Sequence, residues 1–349
     1  MANDSYSATN PGNQGSFLNT VTFPELTDLL DRNFKTVGGM IVPVAKQLVI
    51  TETQGPNDGE YKLLQEYDYT TYAKAKPEGQ DVKRASFGVG YYIQIKMKRI
   101  GIESEITWEM RRTNKKPEVL AIMQALPYFC PQRVELDLPH ILTFCTSTSY
   151  TDIDGNVVDV TVGDGNALAY ASHALKFTTT TYNNIVTGNP FFSKGALELA
   201  EQITTTDILS NFGEKRVMDF NTIVTTNNPT LCNAVKQFLR STSDNTQNNP
   251  GVVNVSQDKY RHLVLPQLNT TATGAIDTTK AHWWFLVAAG AGLRGWQAYY
   301  IEWEAANMVP STTGNGVDVH KDVWYYNVRQ AYQIGVLSGR GIICSNPGN

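Results

Sequence analysis

Residues 91–112 read YYIQIKMKRIGIESEITWEMRR, and residues 113–150 continue TNKKPEVLAIMQALPYFCPQRVELDLPHILTFCTSTSY. The first stretch alternates. Tyr91, Ile93, Ile95 and Met97 fall on one side of an extended chain, and Gln94, Lys96 and Lys98 on the other. The alternation carries on through Ile100, Ile102, Ile106, Trp108 and Met110. The second stretch changes period. Thr113-Asn114 supplies an N-cap, Pro117 suits a first turn, and Val119, Ile122, Met123 and Leu126 recur at helical spacing. A further helical run follows as Val134, Leu136, Leu138, Ile141, Leu142 and Cys145. Pro127, Pro131 and Pro139 are expected to kink or break it, each lacking an N–H and crowding the turn before it. The break is placed between Leu126 and Gln132. A long strand pair thus feeds a long, interrupted helix.

Upstream, residues 1–20 are polar and Gly/Asn/Ser-rich and read as an arm. An amphipathic helix is expected from Pro24 to Phe34, then an extended apolar segment from Met40 to Ile50. Between Thr51 and Gly90 the chain turns polar and tyrosine-rich, bounded by turn chemistry at Gly55-Pro56-Asn57-Asp58-Gly59 and Lys76-Pro77-Glu78-Gly79. It is too long for a plain loop and too poor in aliphatics for a core of its own. It reads as a long β-hairpin whose contacts lie on another chain, with Tyr61, Tyr67, Tyr69 and Tyr72 as contact residues. The other reading is a disordered insertion.

Downstream, Asp154-Gly155 between extended segments signals a type I′ hairpin. Helices are expected at Ser193–Ile203 and Pro229–Leu239, and strands at Phe220–Thr225, Trp283–Ala288, Gln297–Trp303, Val323–Val328 and Tyr332–Leu337.

The bulk numbers exclude more than they assign. Of 349 residues, 41% are hydrophobic, and only 18% are charged against roughly 25% in ordinary soluble proteins. Threonine and asparagine fill the gap, and neutral polar surface is easier to bury against other subunits than lysine and glutamate. A net charge of −4 argues against the whole chain as a polyanion binder. Cys130, Cys145, Cys232 and Cys344 are far apart, without a CxxC, and read as buried thiols of a reducing compartment. No apolar run reaches the ~18 residues of a membrane span, and no signal-peptide core is present.

Sites of chemistry are scarce. Gly290-Ala-Gly-Leu-Arg-Gly295 matches a dinucleotide fingerprint, but the residues that follow alternate like a strand where that site needs a helix. Asp152-x-Asp154 could open a calcium loop, but the twelfth position is Gly163 rather than an acid. The five histidines form no zinc spacing. No catalytic residue, cofactor or metal site is assigned. A basic cluster comprises Lys96, Lys98, Arg99, Arg111, Arg112, Lys115 and Lys116. A solvated strand face is the plain reading. Because Lys115 and Lys116 oppose a helix dipole, Arg111, Arg112, Lys115 and Lys116 are also candidates for contact with a neighbour's carboxylates or with nucleic-acid phosphate.

The stretch from Arg133 to Gly155, Val162-Gly-Asp-Gly165, Ala171-Ser-His173, Tyr182-Asn-Asn184 and Asn189-Pro-Phe-Phe-Ser-Lys-Gly-Ala-Leu-Glu-Leu-Ala200 resemble major capsid proteins of tailed double-stranded DNA phages. The order of features resembles the α+β Hong Kong 97-type fold. The resemblance implies an N-terminal arm at 1–45, an E-loop with its base strands at 46–113, and a peripheral domain at 114–199 whose spine helix covers about 114–149. An axial domain would follow at 200–310, with C-terminal strands at 311–349. It implies a homo-oligomer of hexamers and pentamers forming a virion shell, assembled in the host cytoplasm around DNA held without sequence-specific contacts. The expected partners are a separate scaffolding protein, a portal and, where one exists, a decoration protein, with no membrane. The alternatives are an encapsulin-like nanocompartment shell, a phage tail or decoration protein, and a nucleotide-dependent enzyme using the 290–295 turn.

Overall fold

The alternating segments do become strands. In the computed structural model, which describes residues 32–36, 42–55, 58–69, 72–82, 84, 87–112, 116–243, 253–290, 292, 294–310, 317–318 and 323–348, the first element among the described residues is a helical turn at 32–36. Strands β1 (Ile50–Thr53), β2 (Tyr61–Tyr69), β3 (Phe87–Lys96) and β4 (Lys98–Thr107) follow. β2 and β3 pair antiparallel as a two-stranded hairpin, from Tyr61↔Lys96 to Tyr69↔Phe87, with a bulge between Gln65 and Tyr67. The expected extended run from Met40 to Ile50 is instead a 3₁₀ turn at Val44–Gln47 before β1. Pro43 there fixes the backbone ahead of the first turn. Most of the expected Pro24–Phe34 helix, and the Thr113-Asn114 cap, lie outside the described residues.

The strand does not reach Met110. Helix α1 (Trp108–Arg112) begins where the Thr107 hydroxyl accepts the Met110 amide at 3.1 Å, an N-cap inside an apparently unbroken alternation. Helix α2 (Lys116–Ala125) then runs into a 3₁₀ turn at Leu126–Tyr128, and α3 (Phe129–Thr143) resumes directly. The break is therefore at Pro127 alone. Pro131 lies in the first turn of α3, where its missing N–H has no helical partner to lose, and Pro139 sits inside a helix that continues to Thr143.

Short strands β5 (Ser149–Thr151), β6 (Val157–Asp159), β7 (His173–Ala174) and β8 (Thr181–Tyr182) come next. The β5–β6 connection is a correction. Asp152 N–H donates to Asn156 O at 2.9 Å, leaving three loop residues with Gly155 at φ 80°, not a two-residue type I′ turn. Helix α4 (Lys194–Thr206) is capped by Ser193 and α5 (Pro229–Arg240) by Asn228. They are interleaved with β9 (Thr222–Thr225), β10 (Arg261–Val264) and β11 (Trp284–Val287). The C-terminal part adds β12 (Ala298–Pro310), β13 (Val317–Asp318), β14 (Val323–Val336) and β15 (Ile342–Ser345). The two strands expected at 323–328 and 332–337 are one continuous strand, β14.

The architecture is α+β. One sheet orders its strands β1-β12-β14-β13, with β4 also on β14. A second orders them β10-β9-β11-β15. β9, β11 and β15 are buried along their whole length, and β11 accordingly reads as a short continuous apolar run. One face of that sheet (Val224, Phe285, Val287, Cys344) joins the main core with Leu138, Ile141 and Leu142 of α3. The opposite face (Ile223, Trp284, Leu286, Ile343) carries α4 and α5 through Leu197, Ala200, Val235 and Phe238.

Candidate assembly surface

The hairpin has two unlike faces, because side chains alternate across it. On the inner face, Leu64 and Ile95 are buried on Ile301 of β12. Gly335 makes this approach possible: a Cβ there would lie 2.3 Å from Ile95 Cδ1. Trp303 Nε1–H donates to Gly59 O at 2.9 Å and fixes the base. Further along, Glu66 and Asp68 are buried as well. Arg340 donates to Glu66, as does Arg216 at 3.3 Å; Asn211 gives its side-chain amide to Glu66 at 2.8 Å and its backbone N–H to Asp68 at 2.7 Å. Arg340 is further held by Asn211 Oδ1 at 2.8 Å and lies over the Tyr182 ring. The hairpin is thus latched to its own chain along one face, which corrects the expectation that its contacts all lie elsewhere.

The outer face has no such cover. Tyr61, Leu63, Tyr67, Tyr69, Phe87, Val89 and Tyr92 are exposed, Phe87 to 80%. Register places Tyr67 opposite Val89 and Tyr69 opposite Phe87, so they form one continuous aromatic strip across both strands. Tyr72, beyond β2, is exposed too. Three of the four tyrosines assigned from the sequence, Tyr61, Tyr67 and Tyr69, therefore share the outer face of one appendage. Leu63, Phe87, Val89 and Tyr92 belong to the same strip and were missed, although the alternation that placed Ile93 and Ile95 inward already turned Tyr92 outward.

The basic cluster separates into unlike parts. Arg111 and Arg112 end α1, Lys116 opens α2, and Lys115 lies outside the described residues. Lys98 does not belong to a solvated face. Its ammonium, at the start of β4, meets Asp152 at 2.8 Å and Asp137 at 3.2 Å. Arg133 of α3 bridges Asp137 at 3.0 Å and Asp154 at 2.8 Å. Tyr332 O–H donates to Asp137 at 2.7 Å. Burial alone would raise the Asp152 carboxyl; the Lys98 hydrogen bond and the amides of Asn156 and Asp154 outweigh it and hold it below the usual carboxylate range. The acids that suggested a calcium loop are thus occupied by the chain's own cations. They tie α3 to β4, β14 and the β5–β6 turn. Among the described residues no group of three or more His, Cys, Asp and Glu could hold a metal ion.

Gly290 and Gly292, at φ 151° and 104°, are turn glycines that lead into β12 rather than into a helix, so the dinucleotide reading fails. A buried Asp164–His173 pair, Nδ1 to Oδ2 at 2.8 Å, has the look of a catalytic dyad. However, its Nε2 faces the Leu168 carbonyl at 3.2 Å rather than a hydroxyl or thiol, and its ring stacks on Tyr182 at 4.7 Å. It cross-braces residues 164–182. All four cysteines are buried free thiols. Among the described residues no helix is long and apolar enough to cross a membrane.

Among solved structures, the chain is similar to the mature capsid of bacteriophage PhiM1, with TM-score 0.46 and 10% identity over 84% of each chain. It is similar to a Gordonia phage Cozz structure, with TM-score 0.48 and 12% identity over 86% of this chain and 85% of that one. The capsid of cyanophage P-SCSP1u gives TM-score 0.48 and 12% identity over 87% of both. These are phage structures. No family model and no curated protein matches the chain.

Proposed function

We propose that this chain is a shell-forming subunit, the major capsid protein of a tailed phage with a Hong Kong 97-type fold. Copies assemble through hexamers and pentamers into an icosahedral head enclosing double-stranded DNA. The observation that carries the reading is the two-faced hairpin: its inner face is latched to its own body while its outer face presents an aromatic strip that nothing described in this chain covers. Exposed strips of this kind mark interaction sites, and tyrosine is enriched in them. The order of elements supports the same reading, with a hairpin, a long helix interrupted at Pro127, and two packed sheets. In this reading residues 1–45 are the arm, 46–113 the E-loop, 114–199 the peripheral domain and 200–310 the axial domain, with 311–349 returning to the body.

The role is structural rather than enzymatic. Subunits bury the outer strip against sister copies, and many weak contacts together stabilise a closed particle. A scaffolding protein and a portal are the expected partners during assembly in the host cytoplasm, and the virion is the destination. Arg111, Arg112, Lys115 and Lys116 are proposed to contact either a neighbour's carboxylates or packaged phosphate. Electron microscopy of particles purified from cells, with nuclease treatment before and after opening them, tests the reading. Closed shells with nuclease-protected DNA are expected. Shells with enzyme cargo and no DNA would point to a nanocompartment, and rings or tubes to a tail protein.

A further inference from the structure

Of the four buried thiols, two meet. Cys145 lies just past α3, its backbone anchored by Leu142 O at 3.2 Å and by the Ala169 N–H at 2.7 Å. Cys344, in β15, turns its side chain into the same core cluster. Its backbone is fixed as well: the N–H donates to Asn184 O at 2.8 Å, and the carbonyl accepts from Val186 at 2.9 Å. Asn346, two positions on and so on the same side of the extended chain, donates its side-chain amide to Cys145 Sγ at 3.3 Å. The Cys344 S–H donates to that same sulfur. Cys145 is thus the acceptor of both. The other two cysteines are placed differently. Cys232 Sγ donates to Thr226 O at 3.1 Å, and Cys130 packs in the separate cluster around Tyr326. Asn346 is half-buried, and its Oδ1 has no partner. It is held over Cys145 by its two amides alone, one on the sulfur and one on Asn189 Oδ1 at 3.1 Å.

We propose that Cys145 and Cys344 form a redox staple, a dithiol that a peroxide converts into an intrachain disulfide. With both backbones anchored, rotation of the two side chains is the motion that closes the pair. Cys145 reacts first, because two donors converge on its sulfur. Burial pushes the Cys344 thiol well up, and its hydrogen bond to Cys145 pushes it further, so it keeps its proton until the second step. In the first step the Cys145 sulfur attacks one oxygen of hydrogen peroxide. An S–O bond forms, the O–O bond breaks, and the displaced hydroxide leaves as water with the Cys145 proton. In the second step the Cys344 sulfur attacks the sulfenic sulfur. The S–S bond forms, the S–O bond breaks, and the departing hydroxide takes the Cys344 proton as a second water. Two thiols and one peroxide thus give one disulfide and two waters. Peroxide is the class that fits, because two fully buried sulfurs admit a molecule little larger than water before a bulky disulfide. The link would tie the end of α3 to the edge strand of the buried sheet. It closes a long loop, the arrangement in which a disulfide restricts the unfolded chain most. The staple belongs to the single protomer and stands or falls apart from the shell reading.

The test titrates the purified full-length chain with hydrogen peroxide, alkylates the remaining thiols under denaturing conditions, and maps the peptides without reduction. A Cys145–Cys344 peptide pair, lighter than its two parts by two hydrogens and split by dithiothreitol, is expected, with Cys130 and Cys232 still alkylated. The oxidised chain should unfold on heating about 5 °C higher than the reduced one. In Cys344→Ser, dimedone should trap a sulfenic acid at Cys145, and in Cys145→Ser it should trap none at Cys344. Cys145 and Cys344 that stay alkylatable while the methionines oxidise overturn the staple. So does their passage to sulfinic acid without a link. The peptide map of the unsubstituted chain decides the matter whether or not either variant folds.

Discussion

Glu66 on β2 and Arg340 before β15, 274 residues apart in the chain, lie against each other as a buried ion pair, each with under a twentieth of its surface exposed. Neither charge could be buried alone. The pair stands only because Asn211, Arg216 and Ser338 add further hydrogen bonds around it. This is the latch that holds an otherwise two-stranded appendage on the body, since an isolated hairpin is marginal in water.

Removing one partner should therefore weaken the hairpin first. Glu66→Ala leaves Arg340 and Arg216 facing an empty site and is expected to destabilise the chain by about 3–5 kcal/mol. The Glu66→Ala/Arg340→Ala double variant should recover part of this loss. Denaturant unfolding gives the magnitude, and hydrogen exchange should show amides of residues 61–69 and 87–96 loosening before those of β9 and β11.

Two glycines should rank in a fixed order. A Cβ at Gly335 meets the mobile ends of Ile95 and Ile93, whereas one at Gly341 lies 2.4 Å from the Trp296 backbone. Gly335→Ala is expected to cost roughly 1–3 kcal/mol, within the range for overpacked cores, and Gly341→Ala more. Thermal unfolding of the two variants checks the order.

The hairpin, the helices at 194 and 229 and two strands of the buried sheet, β9 and β11, were legible in the sequence, because alternation, helical spacing and apolar runs are local signals; β10 and β15, the sheet's other two strands, were not read. The latch was not. Glu66 and Asp68 sit at alternate positions of a polar, tyrosine-rich strand, and only the fold brings Arg340 and Asn211 beneath them. Lys98 misled for the same reason: it looked like one more exposed base beside Lys96, but Asp137 and Asp152 arrive from 39 and 54 residues away. The helix start at Trp108 was hidden because a single threonine cap interrupts a pattern that remains apolar and alternating.

Lys98→Ala should be far more damaging than Lys96→Ala. The first leaves Asp137, Asp152 and Asp154 with Arg133 as their one remaining cation in the cluster. The second removes an exposed side chain that lies over Tyr61. A loss of roughly 2–4 kcal/mol against under about 0.5 kcal/mol is expected from urea titrations.

Stability should fall between neutral and mildly acid pH because of His140. It is fully buried, with Nε2 3.4 Å from the Thr270 hydroxyl and Phe144 and Tyr150 edge-on to its ring. Burial lowers its pKa to about 4; Asp137 opposes this, while Lys280 and Arg133 add to it. Unfolded, the ring protonates near 6.5. Between these two values the unfolded chain holds more protons, so stability drops as pH falls from about 6.5 towards 4, by up to roughly 3 kcal/mol. The carboxylates held low, Asp152 and Asp164, add losses only below the ordinary carboxylate range. His140→Gln should flatten the upper part of the profile in unfolding measured across pH.

The aromatic strip should govern association and leave the fold alone. Tyr67→Ser together with Tyr92→Ser removes two exposed rings. Unfolding free energy should shift by under about 1 kcal/mol in total, as for surface changes elsewhere, while particle formation falls away in light scattering.

The most direct test is sedimentation velocity of the purified full-length chain at high concentration, with limited proteolysis of the same sample. The account predicts particles far larger than the 38.7 kDa protomer, with the hairpin protected only in the assembled fraction. A single protomer-sized species that resists protease along the whole hairpin would contradict it.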